Sequence, residues 1–264
     1  NSEAARATPA ARISSRPSPA AAGSPASAAM PNDKAPDNAS TRAGRMTRAY
    51  WTGGSGALGG PLQSAMPPSR RFDAVICDID GCLAPESSEP MDSGALAEIA
   101  AWNRAAQEDR DRPVVTLCSG RPQPFAEAMC RLIGNRTLPV VAENGVWLYW
   151  PDRNAYERDP AILPGHARAV REARAWVEGT LGPRGVVMQP GKEASISLYH
   201  ADTEYLRSLE PVVRDAFDNN GWPLRVSMTW LYINCDLAHV SKGTGLDRLL
   251  AATGLTKARL AGIG

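Results

Sequence analysis

Three apolar runs in this chain each end in polar residues and a glycine: FDAVICDIDG (72–81), PVVTLCSG (113–120) and LPVVAENG (138–145). Their β-branched content and short length predict buried strands. Helical spacing fills the intervals. Residues 92–108 place Leu96, Ile99, Ala100 and Trp102 at helical intervals behind a cap at Asp92 or Ser93. Residues 121–134 predict a shorter helix, with Pro122 near its start and Gly134 as its stop. Continuous apolar strands alternating with helices call for a parallel sheet covered on both faces. The predicted class is therefore α/β.

The rhythm changes after residue 145. VWLYW (146–150) precedes a helical stretch at 165–182, then the strand-like runs GVVMQP and ASISLYH around Pro190-Gly191. A second helix covers 203–220, with Leu206, Leu209, Val212, Val213 and Phe217 on one face and an expected interruption at Pro211. PLRVSM and WLYINCD supply two more strands. Helix, hairpin, helix, hairpin describes an α+β unit with an antiparallel sheet, inserted into the first domain. A helix at 241–254, capped by Ser241 and ended by Gly254, returns the chain to the α/β rhythm, and RLAGIG (259–264) begins another strand. The expected domains are 71–145 with 236–264 for the α/β part, and 146–235 for the insert.

Residues 1–70 read differently. They are rich in Ala, Ser, Pro and Arg and nearly lack large apolar residues, so they cannot bury enough area to offset chain entropy. A disordered tail and linker is expected there. The whole chain carries 29 Lys+Arg against 28 Asp+Glu, a net charge of +1, which offers no electrostatic case for nucleic acid. No apolar run reaches the roughly 18 residues of a membrane span. The five cysteines, at 77, 82, 118, 130 and 235, form no C-x-x-C and are odd in number. Reduced thiols and a cytoplasmic location are expected. The histidines at 166, 200 and 239 are scattered, so no zinc site is expected.

The chemistry gathers at strand ends, where open α/β sheets place their ligands. Asp78 and Asp80 lie two residues apart at a strand-to-loop transition, so both carboxylates point toward one spot. Two close carboxylates repel unless a cation or a shared proton joins them, which favours Mg²⁺ held by oxygen ligands. Ser119-Gly120-Arg121 adds a hydroxyl, a tight turn and a cation. Lys242, on the first turn of its helix, can reach an anion near that helix's N-terminus.

DIDGCLAPE after the first strand, CSGR at the end of the second, and SKG after the insert together resemble the first three motifs of the haloacid dehalogenase superfamily. VAENG (141–145) resembles the E-N-G turn of its Cof-type and sucrose-phosphate-phosphatase-like branch. That branch carries a class IIB α+β cap between the second and third motifs, on a Rossmann-like core. The resemblance implies a Mg²⁺-dependent phosphomonoester hydrolase acting on a small phosphorylated metabolite, a sugar phosphate in particular. A phosphomannomutase-like phosphomutase, or a non-catalytic binding module of the same fold, are its alternatives. Asp78 would be the nucleophile that forms an aspartyl-phosphate. Asp80 would be the acid and base, Ser119 a phosphoryl hydrogen-bond donor, and Lys242 a charge neutraliser. Gly81, Gly120, Arg121 and Asn144 would be substrate-binding, with Arg121 and Asn144 either facing the substrate or stabilising the loops. The metal would rest on the Asp78 carboxylate and the Asp80 backbone carbonyl. Two departures stand out: Cys82 occupies a position where the family usually has Thr, and the chain stops where the fourth motif's acids would follow. The sequence is therefore expected to be C-terminally truncated, with the remaining metal ligand just after Gly264. Trp147, Trp150, Trp222, Trp230 and Tyr232 would either stack on a sugar or pack the cap.

Overall fold

The computed structural model describes residues 70–264, so the tail expected over 1–70 lies, Arg70 apart, outside the described residues. Strand β1 (Ala74–Cys77) is the centre of a parallel trio, flanked by β2 (Val114–Leu117) and β10 (Leu260–Ile263). Ala74 sits opposite Val114 on one side and Leu260 on the other. The Asp73 carboxylate, just before β1, accepts from Arg259, just before β10, at 2.7 and 2.9 Å. That pair pins the entry ends of two strands that are remote in sequence.

A bridge between Cys118 and Val141 joins β2 to β3 (Val140–Ala142), which turns antiparallel into β4 (Trp147–Trp150) and β5 (Ala155–Arg158). The β3–β4 pairing runs straight through residue 146, where the inserted unit was expected to begin. Leu148 and Trp150 pack with Ile76 and Leu249, so this hairpin belongs with the α/β layer.

Helix α1 (Ser93–Asp109) is capped by Asp92, whose side chain accepts from the Ala95 amide. Leu96 is buried as expected, but Trp102 is 43% exposed and Asn103 takes the inner position. Asn103 behaves as a surrogate strand partner. Its amide donates to the carbonyls of Val115 (3.0 Å) and Ile133 (2.8 Å), and its oxygen accepts from the Val115 amide (2.8 Å). Helix α2 (Gln123–Leu132) starts after Pro122, and Gly134 follows its last turn.

The second layer holds helices α3 (Pro164–Thr180) and α4 (Thr203–Asn219) against an antiparallel sheet in the order β6-β7-β9-β8. Its strands are β6 (Val187–Met188), β7 (Ser195–Tyr199), β8 (Leu224–Met228) and β9 (Ile233–Leu237). Leu206, Leu209, Val213 and Phe217 are buried on this sheet, while Val212 is 41% exposed and leaves the expected face. The expected break at Pro211 does not occur. Helix α4 runs through it, because packing of that apolar face outweighs the one amide that proline removes. Helix α5 (Lys242–Thr253) closes the α/β layer. Ser241 caps it reciprocally with Thr244, and Gly254 ends it in a left-handed conformation.

Candidate active site

The carboxyl ends of β1, β2 and β3 meet the N-terminus of α5. A cavity of about 550 Å³ opens there, lined among others by Asp78, Asp80, Gly120, Arg121, Asn144 and Lys242. Six of the eight residues singled out from the sequence thus share one wall. Asp78 directly follows β1, and its backbone amide donates to the Ile263 carbonyl (2.9 Å). One Asp78 carboxylate oxygen accepts from the Ile79 amide (2.8 Å), and the other accepts from the Lys242 ammonium. Asp80 is held by the Arg121 guanidinium, whose Nε lies 2.8 Å from Oδ2 and 3.0 Å from Oδ1. The repulsion expected between the two carboxylates is thus offset by a separate cation on each. The Asp80 hydrogen bond holds Arg121 further toward its charged form.

Ser119 departs from expectation. It is fully buried and its hydroxyl accepts from the Arg121 amide (3.2 Å), so it shapes the turn that carries Arg121 and does not line the cavity. Gly81 lies exposed on the turn after Asp80 and is also absent from the lining. Gly120 is there for space, since a Cβ on it would stand 2.9 Å from the Asn144 side-chain oxygen. Asn144 lines the cavity and donates to Asp236 at 3.0 Å, so it both faces the site and braces a loop.

The E-N-G turn itself is tightly packed. Gly145 has φ of +106°, and a Cβ there would lie 2.3 Å from the Ser241 carbonyl oxygen. This close approach brings the cap of α5, and with it Lys242, up against β3.

Four residues that sequence reasoning passed over complete the site. Glu143 is fully buried and its Oε1 accepts from the backbone amides of Glu193, Ala194 and Ser195. Burial pushes its carboxyl up from the usual range, against the pull of those hydrogen bonds. Lys192 is 6% exposed, lines the cavity, and is pushed below the usual lysine range by desolvation. Asp236 is buried beside Asn144, and Asn234 lines the cavity. Lys192 sits in P-G-K-E, which reads as an exposed turn, and nothing local signals its burial. Of the aromatic residues, Trp230 and Tyr232 line the cavity, while Trp147, Trp150 and Trp222 pack into apolar clusters.

The oxygen donors at the strand ends suit a hard cation. The Asp78 carboxylate retains spare lone pairs, and no hydrogen bond reaches the Asp80 carbonyl among the described residues. Both are hard oxygen donors of the kind Mg²⁺ takes. Among the described residues no cluster of three or more His, Cys, Asp or Glu side chains is placed to hold a metal. Likewise, no helix among them is long and apolar enough to cross a membrane.

No protein-family model matches the chain. It is similar to a phosphoglycolate phosphatase from Methanoculleus marisnigri, 25% identical over 194 residues that cover 72% of this chain and 75% of that protein. Among solved structures, one from Thermoplasma acidophilum superposes with a TM-score of 0.52 at 16% identity, covering 73% of this chain and 76% of the other. The C-terminal domain of trehalose-6-phosphate phosphatase from C. albicans gives 0.52 at 17%, over 69% and 62%. A structure described as a HAD/COF-like hydrolase from Plasmodium vivax gives 0.52 at 13%, over 72% and 77%. The chain shares the fold of haloacid dehalogenase-like hydrolases of the Cof type.

Proposed function

We propose that this chain is a phosphatase that cleaves small phosphorylated metabolites through an aspartyl-phosphate on Asp78, with the layer of α3, α4 and the β6-β7-β9-β8 sheet as a cap over the site. The observation that carries the reading is the cavity at the strand ends, in which Asp78 and Asp80 each face a separate cation. The similarity to a phosphoglycolate phosphatase supports the reaction class. The cavity volume, about 550 Å³, suits a small ester such as a sugar phosphate.

Asp78 attacks phosphorus and the bond to the leaving alcohol breaks, while Asp80, having loosened its pairing with Arg121 and taken a proton from solvent, donates that proton to the departing oxygen. Water then attacks the phosphorus of the acyl phosphate and gives a proton to Asp80. The Asp78–phosphorus bond breaks, releasing inorganic phosphate and restoring both carboxyls. Lys242 orients Asp78 and offsets charge on the transferring group, and Arg121 holds Asp80 toward the same space. Mg²⁺ would rest on the Asp78 carboxylate and the Asp80 carbonyl, and when bound it supplies neutralisation of the phosphoryl charge. A Cβ at Gly264 would lie 3.8 Å from the Asp78 Cβ, so the residue that follows β10 abuts the Asp78 side chain.

A panel of phosphomonoesters assayed on the full-length protein with and without Mg²⁺ tests the proposal. Phosphate release that depends on Mg²⁺ supports it, and no release from any ester refutes it. Product analysis with a hexose phosphate separates hydrolysis from transfer back to the sugar.

A further inference from the structure

We infer that Glu143 is a positioning residue: it ties the start of β7 to the catalytic turn and so presents Lys192 to the leaving alcohol of the substrate. The inference rests on the phosphatase reading and extends it to the part of the substrate beyond phosphorus.

The backbone of 192–195 is held from two sides. Glu143 Oε1 accepts from the amides of Glu193 and Ala194 (2.8 Å each), the amide of Ser195 (2.9 Å) and the Ser195 hydroxyl (3.0 Å). Consecutive amides converging on one oxygen make a nest for an anion. Arg174 of α3 donates to the carbonyls of Lys192 and Ser195 from the other flank. Glu143 Oε2 is buried without a hydrogen-bond partner, a state that costs free energy and that packing alone does not require.

Lys192 emerges from this clamp into the cavity that holds Asp78 and Asp80. Its ammonium donates to Ser197 Oγ at 2.5 Å. An ammonium has three donors, and no other side chain accepts from this one among the described residues. Burial lowers its proton affinity most, with Arg121 acting in the same direction, while the carboxylates of Asp236 and Glu143 partly offset this and favour the charged form. Free donors facing the reaction site suit acceptor oxygens on the alcohol part of a phosphomonoester. Sugar hydroxyls and a glycolate-type carboxylate share that chemistry.

The test compares the full-length protein with Lys192→Met, Glu143→Gln and the double variant. Substrates are 2-phosphoglycolate, glucose 6-phosphate and phenyl phosphate, whose leaving group has no acceptor oxygen beyond the bridging one. Calorimetric binding of the first two accompanies kcat and KM. Losing a hydrogen bond to a charged group predicts that Lys192→Met raises KM and Kd about 10-fold or more for at least one oxygen-bearing ester. The loss falls mainly on KM and Kd, and it is at least about 3-fold smaller for phenyl phosphate than for that ester. Glu143→Gln shifts the same parameters, and the double variant is no worse than Lys192→Met, because both changes act on one contact. Should Glu143→Gln not fold, Ser195→Ala removes one anchor and gives a smaller shift of the same kind. A response to phosphoglycolate alone assigns a carboxylate, and a response to glucose 6-phosphate alone assigns hydroxyls. Unchanged KM and Kd for both esters in Lys192→Met overturn the inference, as does an equal loss with phenyl phosphate in Glu143→Gln. If the wild-type protein hydrolyses none of the three, the phosphatase reading fails, and the Kd comparison still decides the role of Lys192.

Discussion

Replacing Gly145 with alanine tests how closely the site depends on the packing of two loops. The residue has φ of +106°, outside the range that side chains with a Cβ tolerate, and the new Cβ would lie 2.3 Å from the Ser241 carbonyl oxygen. That is short of ordinary contact by about 1 Å. The obstacle is backbone, and it belongs to the residue that caps α5. Moving it displaces Lys242 from Asp78. Backbone strain of about 1–3 kcal/mol and overpacking of similar size together predict a loss of roughly 3 kcal/mol. For a folded unit of this size that corresponds to a fall in Tm of about 6–12 °C. Gly179 is the control, because it lies in α3 with no positive φ, and a methyl group on its Cα would meet nothing within 4 Å. Gly179→Ala should raise Tm by a degree or more, from a helix-propensity gain of about 0.5–1 kcal/mol. Differential scanning calorimetry of both variants measures the contrast. A Gly145→Ala protein that melts within about 1 °C of wild type, with its phosphate release intact, would refute the argument.

Other outcomes follow from groups outside the catalytic pair. Asp73 is held down to about pKa 2, first by its hydrogen bond to Arg259 and then by Arg70. A depressed carboxyl stabilises the fold above its unfolded pKa near 3.8 and loses that contribution as pH falls toward 2. Asp73→Asn should therefore cost about 1–2 kcal/mol in urea melts at pH 7, allowing for solvent screening, and progressively less below pH 4. A gap between the two proteins that stays constant down to pH 2 contradicts this. Asn103→Ala removes three buried hydrogen bonds and should lower stability by about 2–4 kcal/mol, and an unchanged urea midpoint counts against its bridging role. Cys82 is exposed while Cys77, Cys118, Cys130 and Cys235 are buried, so a disulfide reagent at pH 8 should label one thiol quickly and the rest only on unfolding. Burial holds Cys77 and Cys118 near pKa 11 and Cys130 near 12, which slows them further. Rapid labelling of more than one thiol in the native protein contradicts that burial.

The elements that were legible in the sequence are those whose signal is local. Apolar runs ending in Asp78-Ile79-Asp80-Gly81 and Ser119-Gly120-Arg121 became strands whose ends carry Asp78, Asp80 and Arg121 to one cavity, and Ser241 became the cap that brings Lys242 to Asp78. What escaped depends on tertiary partners. Pro211 looked like a break, but the buried face of α4 carries the helix across it. Ser119 carries a suitable hydroxyl, yet it is buried behind the turn to Arg121 and away from the cavity lining. Lys192 and Glu143 lie 49 positions apart, by 192 − 143, and neither has a local pattern that marks it as buried. Their roles appear only when β7 is laid against the turn after β3.

The central claim is that Asp78 is the nucleophile of phosphoester cleavage. The direct test is phosphate release by full-length Asp78→Asn, measured beside wild type at saturating Mg²⁺ and substrate. Asparagine keeps the size of the side chain but removes the attacking charge, so the rate should fall by about 10³-fold or more with the melting profile preserved. Release that continues at the wild-type rate in the folded variant would contradict the account.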